Sequence, residues 1–330
     1  MKVPFFEYPR LWLDNRESLL EIIEITASTG GFIMQDALTN FEHSLAKYCQ
    51  SNYAVGVANA TDGMEIFLEA IGINKGDEII ISTHTMLATA SAIKVNGGIP
   101  VPVDIGYDNL IDVDCIEAAI TSRTTGIMPT QLNGRTCAMD PILSLAEKYG
   151  LFVVEDAAQA LGSKYKDKCA GTFGLASDIS FFPAKVLGCL GDAGAVLVND
   201  KELYEKIYQI HDHGRDFYTG EVVRWGRNSR LDNIQAAILD FKLSNYQNVI
   251  ERRRHIATIY NNRLNGLEEL KLPVPPNQEA DHFDVFQNYE IAAINRNELR
   301  EHLSVNQIGT LPQWGGTAIH QFKQLGFDQH

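Results

Sequence analysis

Cysteine is sparse and unpatterned in this chain. The five cysteines, Cys49, Cys115, Cys137, Cys169 and Cys189, are odd in number and none are spaced as CxxC. That excludes a thioredoxin-type pair, a zinc ribbon and a disulfide scaffold, and points to buried free thiols in a reducing compartment. Long apolar runs are missing: no stretch of about 18 apolar residues exists, so no membrane-crossing helix is expected. The start, MKVPFFEYPRLWLDNRES, is broken by Glu7, Arg10 and Asp14 and does not read as a secretion signal. A cytoplasmic protein is the expectation. Basic residues are in deficit, with Lys+Arg 28 against Asp+Glu 42 and a net charge of −14. Such a chain repels phosphate backbones at long range, so nucleic acid is not an expected partner. A local anion site at a helix N-terminus stays open.

Several motifs are missing as well. There is no HExxH, no GxSxG, no EF-hand loop, no GxxxxGK[ST] and no GxGxxG opening a helix. The histidines do not cluster at ligand spacing, and His211 and His213, two apart, read as a solvated helix end. No metal site is expected.

What is present is an ordinary globular composition over 330 residues, 45% hydrophobic and 21% charged. At roughly 100–200 residues per domain this suggests two domains. Helices are expected at 15–28 and 36–50, the second with Leu38, Phe41, Leu45 and Tyr48 at helical spacing. An alternation follows. Strands at 53–58, 77–82, 99–104, 125–130 and 151–156 are separated by helices at 61–72, 85–98 and 112–121, and by one at 141–150 capped by Asp140. Strands at 178–182 and 194–199 follow. From about residue 201 the texture changes to a helix, a long periodic helix over 230–264, a loop at 272–276, a strand at 285–294 and a helix at 297–306. The last segment, ending GFDQH, reads as an incomplete packed unit. Short apolar strands alternating with helices imply an α/β sheet covered on both faces, which binds ligands at its strand carboxyl ends.

Three features lie at those ends. LFVVED brings Glu155 and Asp156 to the sheet lip, where a carboxylate can hold a ribose, bind a metal, pair with a protonated ring nitrogen or merely cap a helix. In DISFFPAKVLGCLGDAGAVLVND, Lys185 follows an apolar strand among Phe181, Phe182, Pro183, Ala184, Val186 and Leu187. That setting desolvates the ammonium and makes the amine a usable nucleophile. In VANATDGMEI a strand runs through a small-residue turn into a helix N-terminus, a phosphate site to which Thr61 adds a hydroxyl. Pyridoxal 5′-phosphate needs all three: a phosphate anchor, a carboxylate for its ring nitrogen and a lysine for its aldehyde.

The chain resembles the DegT/StrS-type sugar aminotransferases, from about residue 4 to the end. The resemblance rests on FEHSLAKYCQSNYAVGVANATDGMEI, GIPVPVDIGYDNLIDVDCIEAAIT, VVEDAAQALGSKY, ISFFPAKVLGCLGDAGAVLVND and GRNSRLDNIQAAIL. It implies the PLP-dependent fold type I architecture of aspartate aminotransferase. That comprises a large cofactor domain, residues 1–240, with a mixed, mostly parallel seven-stranded sheet between helices. A smaller C-terminal α+β domain, residues 241–330, completes it; relatives normally continue past the position of His330. The resemblance also implies that Lys185 bonds the cofactor aldehyde, Asp156 pairs with the pyridine nitrogen and Gln159 lies near the ring hydroxyl. The backbone of Ala60 and Thr61, the Ser180 hydroxyl and Asn228 from a partner subunit would hold the phosphate, making a homodimer with a shared site. The implied reaction moves an amino group from L-glutamate (or glutamine) to a keto group of a nucleotide-linked deoxysugar, for aminosugar or cell-surface polysaccharide synthesis.

Three departures from the family pattern stand out. Thr85–Met86 replaces a pair whose second member is usually aromatic, leaving Met86 to stack softly on the ring. Asn59–Ala60–Thr61 lacks the usual serine hydroxyl. PTQLNG carries Gln131 where histidine is usual, in a segment expected to tune substrate choice. Arg215, Arg224 and Arg227 are candidate diphosphate binders, and Trp314 or His320 a candidate sugar contact. Rival readings are a sugar dehydratase, a nicotinamide-dependent sugar oxidoreductase with Asp156 on the ribose, and a non-catalytic cofactor-binding regulator. The intact Lys185 argues against the dehydratase branch, in which histidine replaces it, and the missing glycine fingerprint argues against the oxidoreductase.

Overall fold

The computed structural model describes Lys2 to Phe327; the GFDQH ending lies partly outside the described residues. Ten helices lie among them: α1 Tyr8–Ser28, α2 Asp36–Cys49, α3 Ala60–Ile71, α4 Leu87–Val95, α5 Val113–Ala119, α6 Met139–Tyr149, α7 Lys201–His211, α8 Asn233–Ser244, α9 Tyr246–Leu264 and α10 Arg296–Val305. The main strands are β1 Tyr53–Val57, β2 Glu78–Ser82, β3 Ile99–Val103, β4 Thr124–Met128, β5 Phe152–Val153, β6 Glu155–Asp156, β9 Ala176–Ser180 and β10 Gly194–Val198. Short pairs complete the set: β7 Lys164–Tyr165, β8 Lys168–Cys169, β11 Leu270–Lys271, β12 His282–Phe283 and β13 Ala292–Ala293.

β5 and β6 are one extended run, interrupted at Val154, whose amide still donates to the Ile127 carbonyl at 3.1 Å. Through that run two four-stranded ladders, β3-β2-β4-β5 and β6-β9-β10-β1, form one sheet of seven strands. The β2–β3, β2–β4, β4–β5 and β6–β9 pairings are parallel, and only β10 runs against its neighbours. This is the mixed, mostly parallel sheet that the resemblance implied.

Strand alternation sends side chains to opposite layers. In β2, Ile79 and Ile81 face α3 and α4, while Ile80 joins Ile116 and Ile142 on the α5–α6 side. In β10, Val196 and Val198 face α3 and α7, and Ala195 and Leu197 meet Phe41, Leu45, Leu239 and Tyr246. Helices on both faces explain why β2 and β10 are buried at every position. Gly72, at φ 87, takes the left-handed conformation that ends α3.

Several expectations need correction. The first helix begins at Tyr8, with a proline in its first turn, where proline costs no hydrogen bond. Asp140 does not cap α6: the helix starts at Met139, and Asp140 sits in its first turn, paired with Lys166. The long periodic segment 230–264 is two helices that meet at Asn245, whose non-helical φ of −109° turns the chain. The 285–294 segment forms a strand only at Ala292–Ala293; before it, Gln287, Asn288 and Glu290 bind other segments through their side chains. His211 is fully buried, not solvated, and burial pushes its imidazole down to about 4. Only Cys115 of the free cysteines is not buried.

Glu155 is fully buried and points away from Asp156 by strand alternation. Its carboxylate accepts from the amides of Gly171 (2.8 Å), Phe173 (2.6 Å) and Gly174 (3.0 Å) and from Gln131 Nε2 (2.7 Å). Burial raises its pKa, although these donors favour the charged form. Glu155→Ala orphans all four donors, and a loss of at least about 3 kcal/mol is expected in urea unfolding.

Candidate active site

The strand ends converge on one lip of the sheet. β1 leads into Asn59, whose side chain accepts the Asp62 amide at 2.9 Å and caps α3. Among the described residues the amides of Ala60 and Thr61 donate to nothing. They form a free anion-binding helix start. A Cβ added to Gly194, the first residue of β10, would lie 2.6 Å from the Ala60 nitrogen. Only glycine lets β10 approach this helix start so closely.

Asp156 ends β6, 4% exposed. Its Oδ2 accepts from Thr89 Oγ1 at 2.6 Å and more weakly from Thr85 Oγ1 at 3.4 Å, and its Oδ1 from the Ala158 amide at 3.2 Å. Thr130 Oγ1 donates to Thr85 Oγ1 at 2.7 Å, which completes a buried threonine network around the carboxylate. Sequence reading missed Thr89 and Thr130; their spacing from Asp156 carries no signal, because a helix, α4, and the ends of two separate strands, β4 and β6, bring them together.

Asp178 was also missed. It pairs in register with Asp156 on the adjacent parallel strand, so both side chains share the α3–α4 face. It is fully buried, and neither carboxylate oxygen has a partner among the described residues. Burial pushes its carboxyl well above the usual range, Asp156 adds to the rise, and Lys185 opposes it. An apolar strand with one acidic residue could have marked it. Ser180, two residues on, is half-buried, and its Oγ accepts the Phe182 amide at 3.3 Å.

Lys185 follows in the turn beyond β9. Burial lowers its pKa below the ordinary 10.5, the attraction of Asp156 and Asp178 acting the other way. Gln159 is half-buried and its Oε1 accepts the Asn133 amide at 2.9 Å. Met86 is 48% exposed and its sulfur accepts the Ala88 amide at the start of α4.

Other candidates are engaged elsewhere. Gln131 is fully buried between Glu155 and the Cys137 amide, so its side chain is structural and not a substrate contact. Arg227 pairs with Glu65 at 2.8 Å and with Glu69, both on α3, which neutralises it as a diphosphate ligand. Trp314 packs on the α5–α6 core layer, with its indole nitrogen enclosed, and does not stand free for a sugar. Arg215, Arg224, Asn228 and His320 are exposed, Arg215 lying 3.7 Å from Asp212.

The family model for the DegT/DnrJ/EryC1/StrS aminotransferase family matches residues 14–328. The chain belongs to this family. It is 36% identical over 315 residues to a dTDP-3-amino-3,4,6-trideoxy-alpha-D-glucose transaminase of Streptomyces venezuelae, covering 95% of this chain and 82% of that one. To the GDP-perosamine synthase of Escherichia coli O157:H7 it is 36% identical over 322 residues, covering 94% and 84%. The crystal structure of NtdA from Bacillus subtilis with bound cofactor PMP superposes with a TM-score of 0.90 at 30% identity, over 100% of this chain and 77% of that one. The family member described here is a pyridoxal-phosphate-dependent aminotransferase of the fold implied by its sequence.

The residues present fit that cofactor: free amides at a helix start, a hydroxyl beside them, a strand-end carboxylate and a desolvated amine share one lip. Between the lowered folded pKa of Lys185 and its unfolded value near 10.5, the unfolded chain binds more protons, so stability rises with pH through that window. Lys185→Met should therefore raise the melting temperature of the cofactor-free protein at pH 7, with a gain that vanishes as pH approaches 10.5.

Proposed function

We propose that this aminotransferase moves an amino group from L-glutamate (or glutamine) to a keto carbon of a nucleotide-linked deoxysugar. It would act in the cytoplasm, in aminosugar or cell-surface polysaccharide (lipopolysaccharide) synthesis. The observation that carries the reading is the meeting of Lys185, Asp156 and the open start of α3 at one sheet lip. The two named relatives act on dTDP- and GDP-linked sugars, which supports a nucleotide sugar as acceptor.

Bound there, pyridoxal phosphate supplies an aldehyde for the amine and a conjugated ring that withdraws electrons from it. The Ala60 and Thr61 amides and the Ser180 hydroxyl would hold the phosphate. Asp156, whose side chain is oriented by hydrogen bonds from Thr89 and Thr85, would pair with the ring nitrogen. Gln159 would lie near the ring hydroxyl. Lys185 would act as the base that takes the donor's α-proton on Nζ in the first half-reaction and as the acid that returns a proton to the sugar carbon in the second. A lowered pKa suits an amine that must act as a base near neutrality.

The remaining role requires a homodimer. Asn228 is exposed on a loop that also leaves Phe217, Tyr218, Val222 and Trp225 in solvent, Trp225 being 94% exposed. Such an apolar loop suits contact with a second copy, where Asn228 completes the phosphate site.

The test is spectroscopic. Protein loaded with pyridoxal phosphate should absorb in the visible, and L-glutamate without an acceptor should bleach that band into the near ultraviolet. A nucleotide ketosugar should restore it. Lys185→Ala should keep the fold and lose turnover by at least about 10³-fold. Full turnover in that variant refutes the assignment, and retention of cofactor without either half-reaction would favour a regulator.

A further inference from the structure

Lys185 lies outside regular structure. Its own amide donates to the Phe182 carbonyl at 2.8 Å, and among the described residues the backbone of 184–186 makes no hydrogen bond to a strand or helix of the sheet layer. The group that does so comes from about a hundred residues further along the chain. Gln287 is 7% exposed. Its Oε1 accepts the Val186 amide at 2.8 Å, and its Nε2 donates to the Ala184 carbonyl at 2.8 Å. One planar amide thus grips the backbone on both sides of Lys185. Only asparagine and glutamine offer an acceptor and a donor in that arrangement without a charge.

Gln287 is itself firmly held. Arg253 Nη1 donates to the carbonyls of Phe286 (3.0 Å) and Gln287 (3.1 Å), and the Val285 amide donates to the Gly134 carbonyl at 2.8 Å. Gly134 has φ +85, and a Cβ there would lie 2.7 Å from the Gln287 nitrogen, so the two chains touch backbone to backbone. Three residues on, the Glu290 carboxylate binds His84 (2.9 Å), Asn109 (3.0 Å) and Asn133 (2.7 Å). Burial raises the pKa of Glu290, but His84 and the two amides outweigh it and hold the group below its usual range, hence charged. The stretch 285–290 is therefore anchored at both ends, with Gln287 between the anchors.

We propose that Gln287 is a positioning residue for Lys185: it fixes the peptide planes before and after the lysine, so that Nζ is delivered to one place. The proposal rests on the reading of Lys185 above. A side chain that alternates between holding a cofactor and carrying a proton needs its backbone stationary, because small misplacements cost large factors in rate.

Two variants test it. Gln287→Met keeps length and removes both bonds; Gln287→Glu keeps the acceptor for Val186 and sets an oxygen against the Ala184 carbonyl. Amide hydrogen exchange in the cofactor-free protein should rise about tenfold at residues 183–188 in Gln287→Met, with β2 and β10 unchanged. In the loaded protein, kcat should fall roughly 10–100-fold with KM for the donor nearly constant, and the pH midpoint of the visible band should shift. Gln287→Glu should retain protection of Val186 yet still lose kcat. Unchanged exchange at 183–188, or a rise spread evenly over the chain, overturns the proposal. Faster local exchange with unchanged kcat and band midpoint makes Gln287 a clamp without influence on Lys185 and overturns it too. If the wild type takes up no pyridoxal phosphate, the reading of Lys185 fails, while the exchange experiment still decides whether Gln287 holds the turn.

Discussion

The buried carboxylate of Asp156 is the constraint around which this site is built. A carboxylate inside an apolar sheet lip is stable as an anion only if donors replace the water it has lost. Here hydroxyls supply them: Thr89 donates directly, Thr85 lies within weaker reach, and Thr130 donates to Thr85. α4 places Thr89 over the sheet, and Thr85 and Thr130 follow β2 and β4. The parallel order of those strands is what lets three distant segments deliver their first residues to one point.

Asp178 lacks such donors. It stands beside Asp156 on the same face, with no partner for either oxygen among the described residues, and its pKa rises by burial first and by the neighbouring Asp156 second. Two adjacent buried acids and a desolvated lysine thus lie close together in the sheet. Each is unfavourable for folding taken singly. Together they describe a site whose stability has been given up for chemistry, a cost that Asp178 carries into the middle of β9.

The sheet was legible because its strands are buried on both faces and read as short apolar runs. The same logic made Asp156 and Lys185 conspicuous, since a charge at the end of such a run has few bland explanations. The free helix start at Ala60 was legible from a small-residue turn between strand and helix. Other parts were hidden for physical reasons. Nothing in the periodicity of 230–264 marks the turn at Asn245, because both helices keep the same apolar spacing through it. The residues 285–290 look like a strand by composition, but side-chain amides and a carboxylate bind them to three other segments and no ladder forms. His211 shows the reverse error: a histidine near a helix end looks solvated until its burial is seen.

The polar residues that the family resemblance pointed towards substrate divide sharply once their partners are known. Gln131 serves Glu155, Arg227 serves two glutamates of α3, and Trp314 leans on the core. Each is consumed by the scaffold of the site. What remains available to an anionic sugar nucleotide on a chain of net charge −14 is a short set of exposed groups, with Arg224 making no ion pair among the described residues. Long-range attraction cannot recruit such a substrate to so acidic a protein. Capture must therefore depend on close contacts: exposed arginines on the 215–227 loop and amides at a helix start, whose partial charges act only within a few ångströms. Donor and acceptor would then be selected at the mouth of the site, by groups that the scaffold has not already claimed.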